Sequence, residues 1–336
     1  MTDLLQVAKL AGVSRATAAR AFSAPELVRE ETRNKVLAAS EQLSFRPNHI
    51  ARQLRTQSSR TLGVLLPSLS NPVFAEQLQA MEVASQQSGY ALLIATSDYQ
   101  TQREADIVEN MLRQRVDGLV LTVANADSSR LLVSLRREAV PVVLVHNAPA
   151  SLTLPSVCVD NRQAVRQATD RLLALGHRRI GMIAGPVVQS DRALLRYQGY
   201  CDAMANAGLN PAPMLEMPSH TRSDFQTLQP ALKGSQAMTA LICTNDLLAI
   251  SVMGELQRAG YQVPQQISII GFDGIDIGRL VYPSLTSVVQ PLQQMGTAAI
   301  AHLLALIDEQ KPEPVQPLQT ALRLGESIAP PPAFLF

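Results

Sequence analysis

Short apolar runs of strand length alternate with longer stretches of helical length from residue 61 onward, and this alternation constrains the fold most strongly. The first apolar runs lie at 62–67, 90–96, 118–123 and 140–145. The stretches 73–89 and 101–114 between them carry apolar residues at helical spacing. Strands that are apolar throughout and alternate with helices are typical of parallel βαβ units, whose helices cover both faces of the sheet.

The same pattern begins again in the second half of the chain. Its apolar runs lie at 157–159, 180–184, 240–243 and 267–271. Two doubly wound α/β halves of about 100–130 residues each therefore account for residues 61–330. A chain of 336 residues, 46% of them hydrophobic, is long enough to bury cores of this size.

Polar side chains follow most of these predicted strands. They are Ser68, Ser70, Ser97, Asp98, His146, Asn147, Asp160, Asn161, Asn245, Asp246 and Asp273. Doubly wound halves bind ligands at the carboxyl ends of their strands, and two halves that face each other leave a cleft between them. The sequence therefore predicts a cleft for a small polar ligand, although capping of the next helix is an equally ordinary role for each residue.

Residues 4–23 predict two short helices joined by a tight turn. Leu4, Leu5, Val7, Ala8 and Ala11 carry helical spacing, and the glycine at position 12 supplies the turn. The serine at position 14 is suited to cap the second helix, which begins with an arginine. This arrangement is typical of a DNA-reading helix-turn-helix, and an ordinary helical hairpin is the alternative.

The distribution of charge favours the DNA-reading alternative. The net charge of the chain is only +1, but residues 1–60 hold ten Lys or Arg and five acidic residues, a local charge of +5. The remainder holds 19 basic and 23 acidic residues, a charge of −4. A third helix is predicted at 28–43, and a polar linker at 56–60 marks the end of this basic headpiece.

Several other classes of protein are disfavoured. The chain contains no GxSxG, GxxxxGK[ST] or GxGxxG motif, so we do not expect an enzyme. Its three cysteines form no CxxC pair and its five histidines do not cluster at metal-ligand spacing, so we expect neither disulfides nor a metal site. With neither a secretion signal nor an apolar run of about 18 residues, we expect a cytoplasmic protein without a membrane span. A periplasmic sugar-binding protein is a remote alternative.

Motifs in a fixed order over residues 3–330 carry a more specific resemblance. They are Val7-Ala-x-x-Ala-Gly-Val-Ser14, Thr17-x-x-Arg20, Arg46-Pro-Asn-x-x-Ala-x-x-Leu54, Ser70-Asn-Pro-x-Phe74, Val159-Asp-Asn161, Ala184-Gly-Pro186, Thr244-Asn-Asp246 and Gly271-Phe-Asp273. Together they resemble the LacI/GalR family of bacterial transcription regulators. The stretches 64–76, 196–204 and 271–279 look most like its gluconate- and idonate-responsive members.

The resemblance implies an α/β protein with an N-terminal helix-turn-helix headpiece and two doubly wound parallel-sheet lobes of periplasmic-binding-protein type. The predicted limits are 1–60 for the headpiece, with a hinge helix at 48–55, then 61–159 with 290–318 for the N-terminal lobe, and 160–289 with 319–330 for the C-terminal lobe.

The resemblance also implies which residues contact DNA. They are Arg15, Ala16, Thr17 and Arg20 in the second helix, and Asn48, Ala51 and Leu54 in the hinge helix. An arginine can bind both O6 and N7 of guanine in the major groove. Leu54 matches the wedge that opens the central base step in the minor groove, with packing inside the headpiece as the alternative. Ala19 departs from the serine common in relatives, so we expect one phosphate contact fewer.

The effector-binding residues implied by the resemblance lie in the predicted cleft. They are Ser70, Phe74, His146, Asp160, Arg196, Asn245, Asp273 and Gln290. Arg196 is suited to bind a carboxylate, and Asp273 to accept hydrogen bonds from sugar hydroxyls. Asp273 replaces a histidine typical of gluconate-type members, so a neutral sugar, polyol or nucleoside is the alternative to a sugar acid. For His146, a structural role remains an alternative to ligand contact.

The resemblance finally implies a homodimer on a pseudo-palindromic DNA operator, controlled by a sugar acid or sugar and without a cofactor. No apolar heptads follow residue 329, so we expect a dimer rather than a tetramer. A ligand that prefers one arrangement of the lobes shifts their population toward it. We expect a repressor of carbohydrate or sugar-acid utilisation genes. The alternatives are an activator and a corepressor-dependent regulator.

Overall fold

The computed structural model describes residues 3–45, 58–149, 154–310 and 312–332. The chain divides into two compact units, Met1–Ser59 and Arg60–Phe336. No helix among the described residues is both long and apolar enough to cross a bilayer.

The described residues of the first unit form three helices around a small core. They are α1 (Leu4–Leu10), α2 (Arg15–Ser23) and α3 (Glu30–Gln42), with a 3₁₀ turn at Pro25–Leu27. The Ser14 hydroxyl caps α2 by accepting a hydrogen bond of 3.1 Å from the Thr17 amide, as the sequence predicts. The core consists of Val7, Ala8, Ala18, Ala21, Val36 and Ala39. The predicted hinge helix at 48–55 lies outside the described residues.

The second unit begins with a parallel sheet of five strands. These are β1 (Thr61–Leu66), β2 (Ala91–Thr96), β3 (Gly118–Leu121), β4 (Val142–Val145) and β5 (Ser156–Val157), in the order β2-β1-β3-β4-β5. The helices that follow the first three strands are α4 (Pro72–Gln87), α5 (Thr101–Arg113) and α6 (Arg130–Arg137). Strands β3 and β4 are buried along their whole length, because helices cover the sheet.

A second sheet has the order β11-β10-β9-β8-β6-β7. Its strands are β6 (Ile180–Ala184), β7 (Leu215–Glu216), β8 (Ala240–Cys243), β9 (Ser268–Asp273), β10 (Thr286–Val289) and β11 (Ala321–Arg323). Neighbouring strands are parallel except for β10 and β11. The helices of this part are α7 (Asn161–Ala174), α8 (Asp191–Asn206), α9 (Phe225–Leu228), α10 (Asp246–Arg258) and α11 (Ile277–Leu280), with 3₁₀ turns at Val187–Gln189 and Gln229–Leu232. Two doubly wound halves are thus confirmed.

The chain passes between the two sheets three times. It leaves the first sheet after β5, returns after β10 as α12 (Leu292–Ile307), and leaves again before β11. Helix α12 packs on α4 and on strands β3 and β4 of the first sheet. We call the part built on β1–β5 the first lobe and the part built on β6–β11 the second lobe. We propose that the boundaries between the two lobes lie at these three passages, at the limits predicted from the sequence.

Helices α7 and α8 of the second lobe lie unusually close together. A Cβ atom on Gly199 of α8 would overlap the main-chain oxygen of Arg162 on α7, so this position requires a glycine. The close approach holds α8 against its own lobe. Its first residues, Asp191 and Arg192, contact the first lobe.

Candidate effector cleft and DNA-binding helix

A cavity lies where the carboxyl ends of strands from both sheets meet. Six of the eight predicted effector residues line it: Phe74, His146, Arg196, Asn245, Asp273 and Gln290. Asn71, Tyr99, Arg192 and His220 also line it and were not predicted. The described residues contain no group of three or more His, Cys, Asp or Glu side chains suited to hold a metal ion.

The structure places the other two predicted residues outside the cavity. The Ser70 hydroxyl lies 2.8 Å from the Ser68 hydroxyl in an exposed turn. The Asp160 carboxylate caps α7 by accepting a hydrogen bond of 2.9 Å from the Gln163 amide, and it is exposed. For Asp160, the capping alternative left open by the sequence is therefore the one observed.

Arg196 projects from α8 and is 7% exposed. Its Nε donates a hydrogen bond of 2.7 Å to Asn161 Oδ1, and its Nη1 donates to the main-chain oxygen of Thr244. The guanidinium lies 3.5 Å from the centre of the Phe272 ring. Burial lowers the pKa of Arg196 to about 10, and the charge of Asp273 opposes this shift. Arg196 is therefore a fixed cation at neutral pH.

Asp273 ends strand β9 with a φ of 112°, a backbone conformation that side-chain-bearing residues rarely adopt. Its Oδ1 accepts a hydrogen bond of 2.8 Å from Gln290 Nε2. Burial raises the pKa of Asp273 to about 6, while Arg196 and hydrogen bonds from Gln290 and Asn71 act against this shift. At neutral pH the carboxylate is mainly ionised and can accept hydrogen bonds from a ligand.

His146 follows β4 with a φ of 68° and is 4% exposed. Its Nε2 lies 3.1 Å from Gln77 Oε1, within hydrogen-bond distance. The ring packs edge-on against Phe74, with centroids 5.7 Å apart. Burial lowers the pKa of His146 to about 3, and the charges of Arg192 and Arg196 act in the same direction. The imidazole is therefore neutral at physiological pH.

Arg192 is a second buried arginine in the cavity wall. Its Nη1 donates a hydrogen bond of 2.9 Å to the main-chain oxygen of Val123 and lies 3.2 Å from Asp191 Oδ1. Residues four apart on a helix lie on the same face, so the spacing of Arg192 and Arg196 is a signal that could have identified Arg192 from the sequence.

Tyr99 and His220 stack across the cleft, with ring centroids 4.0 Å apart and planes at 28°. Tyr99 follows β2 in the first lobe, and His220 follows β7 in the second. Asn245 Nδ2 donates a hydrogen bond of 2.7 Å to the main-chain oxygen of His220. Burial lowers the pKa of His220 to about 4, and Arg192 acts in the same direction. We find no sequence signal for this pair, because the two residues come from unrelated loops.

One polar atom of the cavity wall has no internal partner. The Oε1 atom of Gln290 is buried and makes no hydrogen bond within the described residues. A buried acceptor without a partner is costly, and a ligand hydroxyl would satisfy it. The cavity thus combines two guanidinium groups, one carboxylate, amide groups and aromatic rings. This arrangement is suited to bind a small molecule that carries hydroxyl groups and an acidic group.

The predicted base-contacting residues share one region of the first unit. Arg15, Ala16 and Arg20 of α2 are exposed and Thr17 is half-buried, whereas Ala18 and Ala21 of the same helix pack into the core. The Thr17 hydroxyl lies 2.9 Å from the Ser14 hydroxyl. Asn48, Ala51 and Leu54 lie outside the described residues.

Two family descriptions match this chain. "Bacterial regulatory proteins, lacI family" matches residues 3–48, and "Periplasmic binding proteins and sugar binding domain of LacI family" matches residues 59–321. Among curated relatives, the HTH-type transcriptional regulator GntR of Escherichia coli K12 is 35% identical over 97% of each chain. The HTH-type transcriptional repressor CytR of the same strain is 33% identical over 89% of this chain and 87% of its own.

Solved structures agree with these matches. The lac repressor dimer bound to operator and the anti-inducer ONPF has a TM-score of 0.88 and 27% identity, covering 98% of this chain and 99% of its own. The complex of the transcriptional regulator CelR with cellobiose has a TM-score of 0.71 and 27% identity, covering 97% of this chain and 100% of its own. These relatives are transcriptional regulators, not enzymes. The chain belongs to the LacI family, as a DNA-binding transcriptional regulator with an effector-binding core.

Proposed function

We propose that this chain is a dimeric repressor of carbohydrate or sugar-acid utilisation genes. Its affinity for a pseudo-palindromic operator is controlled by a sugar acid or sugar bound between the lobes. The observation that carries the proposal is the cavity in which Arg192 and Arg196, both buried, lie with the ionised Asp273. Buried charges are costly unless they are paired, so this arrangement favours a ligand that bonds to them.

The chemistry of the cavity wall supports the ligand class. A guanidinium binds a carboxylate through charge-assisted hydrogen bonds, and Asp273 with Gln290 Oε1 accepts hydrogen bonds from hydroxyl groups. The names of relatives support it too, since CelR was solved with cellobiose and another relative, from Alkaliphilus metalliredigens, with D-xylulofuranose. Asp273 favours the second candidate, a neutral sugar, polyol or nucleoside, because its carboxylate would repel an acidic ligand.

On the DNA side, we assign direct base contact to Arg15, Ala16, Thr17 and Arg20 of α2. The exposure of both arginines and the buried alanines on the other side of the helix support this assignment. A hinge helix at 48–55, with Leu54 in the minor groove, completes the proposal and rests on the family resemblance.

The regulatory mechanism follows from two arrangements of the lobes. The effector shifts their equilibrium by no more than its difference in affinity for the two arrangements. We propose that its binding releases the operator. Corepression, in which binding strengthens operator contact, is the alternative.

Thermal unfolding against a panel of aldonates, neutral sugars, polyols and nucleosides tests the ligand class. A ligand at 100 times its Kd adds about 2.7 kcal/mol to the free energy of unfolding, which gives a readable rise in Tm. We expect an aldonate to raise the Tm of the parent protein but not that of Arg196→Ala. Arg162→Ala, an exposed arginine on α7, is the matched control and should keep the full response.

The outcomes separate the candidates. A response to neutral sugars or nucleosides alone would reject the sugar acid and retain the regulator. A ligand that stabilises the protein is then added to operator complexes, where release of DNA supports induction and tighter binding supports corepression.

A further inference from the structure

The first residue of α8, Asp191, is bound by the opposite lobe. Its main-chain amide donates a hydrogen bond of 3.0 Å to the main-chain oxygen of Ala124, which follows β3. Its carboxylate Oδ2 accepts a hydrogen bond of 3.0 Å from the Ala126 amide. Asn147, which follows β4, donates from Nδ2 to both carboxylate oxygens at 3.0 and 2.8 Å. All three partners belong to the first lobe, whereas Asp191 belongs to the second.

The next residue extends the same contact. Arg192 Nη1 donates to the main-chain oxygen of Val123 at 2.9 Å and pairs with the Asp191 carboxylate at 3.2 Å. Asp191 and Arg192 of the second lobe therefore bind Asn147 and three residues of the loop after β3, all in the first lobe. Because Arg192 also lines the cavity, this contact places one of the effector-binding guanidinium groups.

The receiving loop is held in place by its own lobe. Asn147 Oδ1 accepts from the Val123 amide at 2.9 Å, and Asn147 Nδ2 donates to the Val123 oxygen at 3.0 Å. The buried carboxylate of Glu104 accepts from the Ala124 amide at 2.8 Å. The loop is therefore preorganised to receive Asp191, and little entropy is lost when the lobes meet.

Hydrogen bonds to a carboxylate are stronger than those between neutral groups, and they also fix geometry. We propose that Asp191 is a positioning residue of the effector site, because it joins the two lobes across the cleft and holds Arg192 at the cavity wall. Only one consequence of this inference rests on the proposed function. It is that effector affinity depends partly on Asp191, a residue that does not line the cavity.

The distance between the lobes tests this role directly. Spin labels are attached at Val133→Cys on α6 and Val188→Cys on the 3₁₀ turn after β6, both exposed positions in different lobes. The half-buried Cys201 is replaced by serine, since the other two cysteines are buried. Labelled full-length chains are diluted with excess unlabelled chain, so that the measured distances lie within one chain.

We expect Asp191→Ala to move the distance distribution toward longer values, with a roughly tenfold larger open population, because bonds to a charged group are lost. Asp202→Ala is the matched control. Asp202 lies on the same helix and pairs with Arg162 at 2.5 Å, but both residues belong to the second lobe. This control should leave the distances unchanged.

A second pair of variants covers the case in which Asp191→Ala does not fold. Asn147→Asp places a carboxylate against Asp191 and should open the cleft by repulsion. Adding Asp191→Asn to the Asn147→Asp variant places an amide donor against the new carboxylate and restores the hydrogen bond. The double variant should therefore return toward the parent distances.

Unchanged distances in Asp191→Ala, or equal lengthening in Asp202→Ala, would overturn the positioning role. Absence of rescue in the double variant would do the same. The measurement uses no small molecule, so its failure leaves the effector proposal standing. A ligand panel without a response would count against the effector proposal and leave the positioning role intact.

Discussion

Gln290 Nε2 donates a hydrogen bond of 2.8 Å to Asp273 Oδ1, and this bond joins the cavity to a passage between the lobes. Asp273 ends β9 inside the cavity wall, whereas Gln290 lies where the chain leaves β10 and enters α12 on the first sheet. A ligand that bonds to Asp273 therefore acts on a residue of the connecting segment. We propose that this contact couples effector binding to the relative positions of the lobes.

The ionisation of Asp273 predicts a pH dependence of effector binding. Its pKa is raised to about 6, so the charge of this carboxylate is lost as the pH falls from 7.5 to 5.5. For a neutral sugar or polyol, we expect the affinity of the parent protein to fall over this range, and Asp273→Asn to bind more weakly with a flatter profile. For an aldonate, which the carboxylate repels, we expect the affinity to rise over this range, and Asp273→Asn to bind more tightly with a flatter profile. Asparagine has the same size and shape as aspartate, so the backbone strain of the positive φ is similar in both proteins. Titration calorimetry with the ligand identified by the panel measures the affinity of the parent and of the variant across this pH range. A parent affinity that does not change with pH would contradict the prediction.

Asp246 predicts a pH dependence of stability. Its carboxylate accepts from the Ser287 hydroxyl at 2.6 Å and from the Ile275 amide at 2.8 Å, yet burial and the charge of Asp273 raise its pKa to about 8. The folded state therefore keeps a proton that the unfolded chain releases near pH 4. The bound proton therefore contributes to the free energy of unfolding. This contribution is fully present below pH 4 and is lost as the pH rises through 8.

Asp246→Asn removes this ionisation and can keep both hydrogen bonds, because the Ser287 hydroxyl can also accept. We expect the free energy of unfolding of the variant, relative to the parent, to rise between pH 5 and pH 9 by several kcal/mol, since each pKa unit corresponds to about 1.4 kcal/mol. Urea titrations at the two pH values measure it. A difference that does not change with pH would show that Asp246 does not titrate in this range.

The packing of α7 on α8 predicts opposite effects for two glycine substitutions. Gly199→Ala places a methyl group against the main-chain oxygen of Arg162, so we expect a loss of about 1–3 kcal/mol in the free energy of unfolding. Gly254→Ala on α10 meets only the flexible end of Arg258, so we expect a gain of about 0.5–1 kcal/mol. Urea denaturation compares the two variants. If the two substitutions changed the free energy of unfolding equally, α7 and α8 would be able to separate without cost.

The exposed arginines of α2 predict a loss of sequence-specific DNA binding. An operator is first selected from random duplexes with the parent protein. Arg20→Ala should then weaken binding to it by about 1–3 kcal/mol and relax the preference at one base pair, because an arginine bound to guanine is lost. Lys35→Ala is the control, since Lys35 lies on α3 in an ion pair with Glu31 at 2.7 Å. If both variants lose affinity equally on all sequences, Arg20 contributes charge rather than base recognition.

The sequence by itself determined the order of elements and the class of fold. Apolar runs such as 118–121 and 142–145 became buried parallel strands because their composition suits a sheet covered on both faces. The cap at Ser14 and the glycine turn before it gave the two helices of the headpiece. These features depend on interactions between residues close in the chain, which a single sequence displays directly.

Only the tertiary structure decided which strand-end residues face the cavity. Asp160 and Asp273 both follow strands predicted from the sequence, yet Asp160 caps a helix and Asp273 lines the wall. Tyr99 and His220 meet only because two separate loops approach across the cleft. Local spacing places a residue at the end of a strand, but its partners depend on how the two sheets face each other. That arrangement is set by contacts between residues far apart in the chain, such as Asp191 with Ala126.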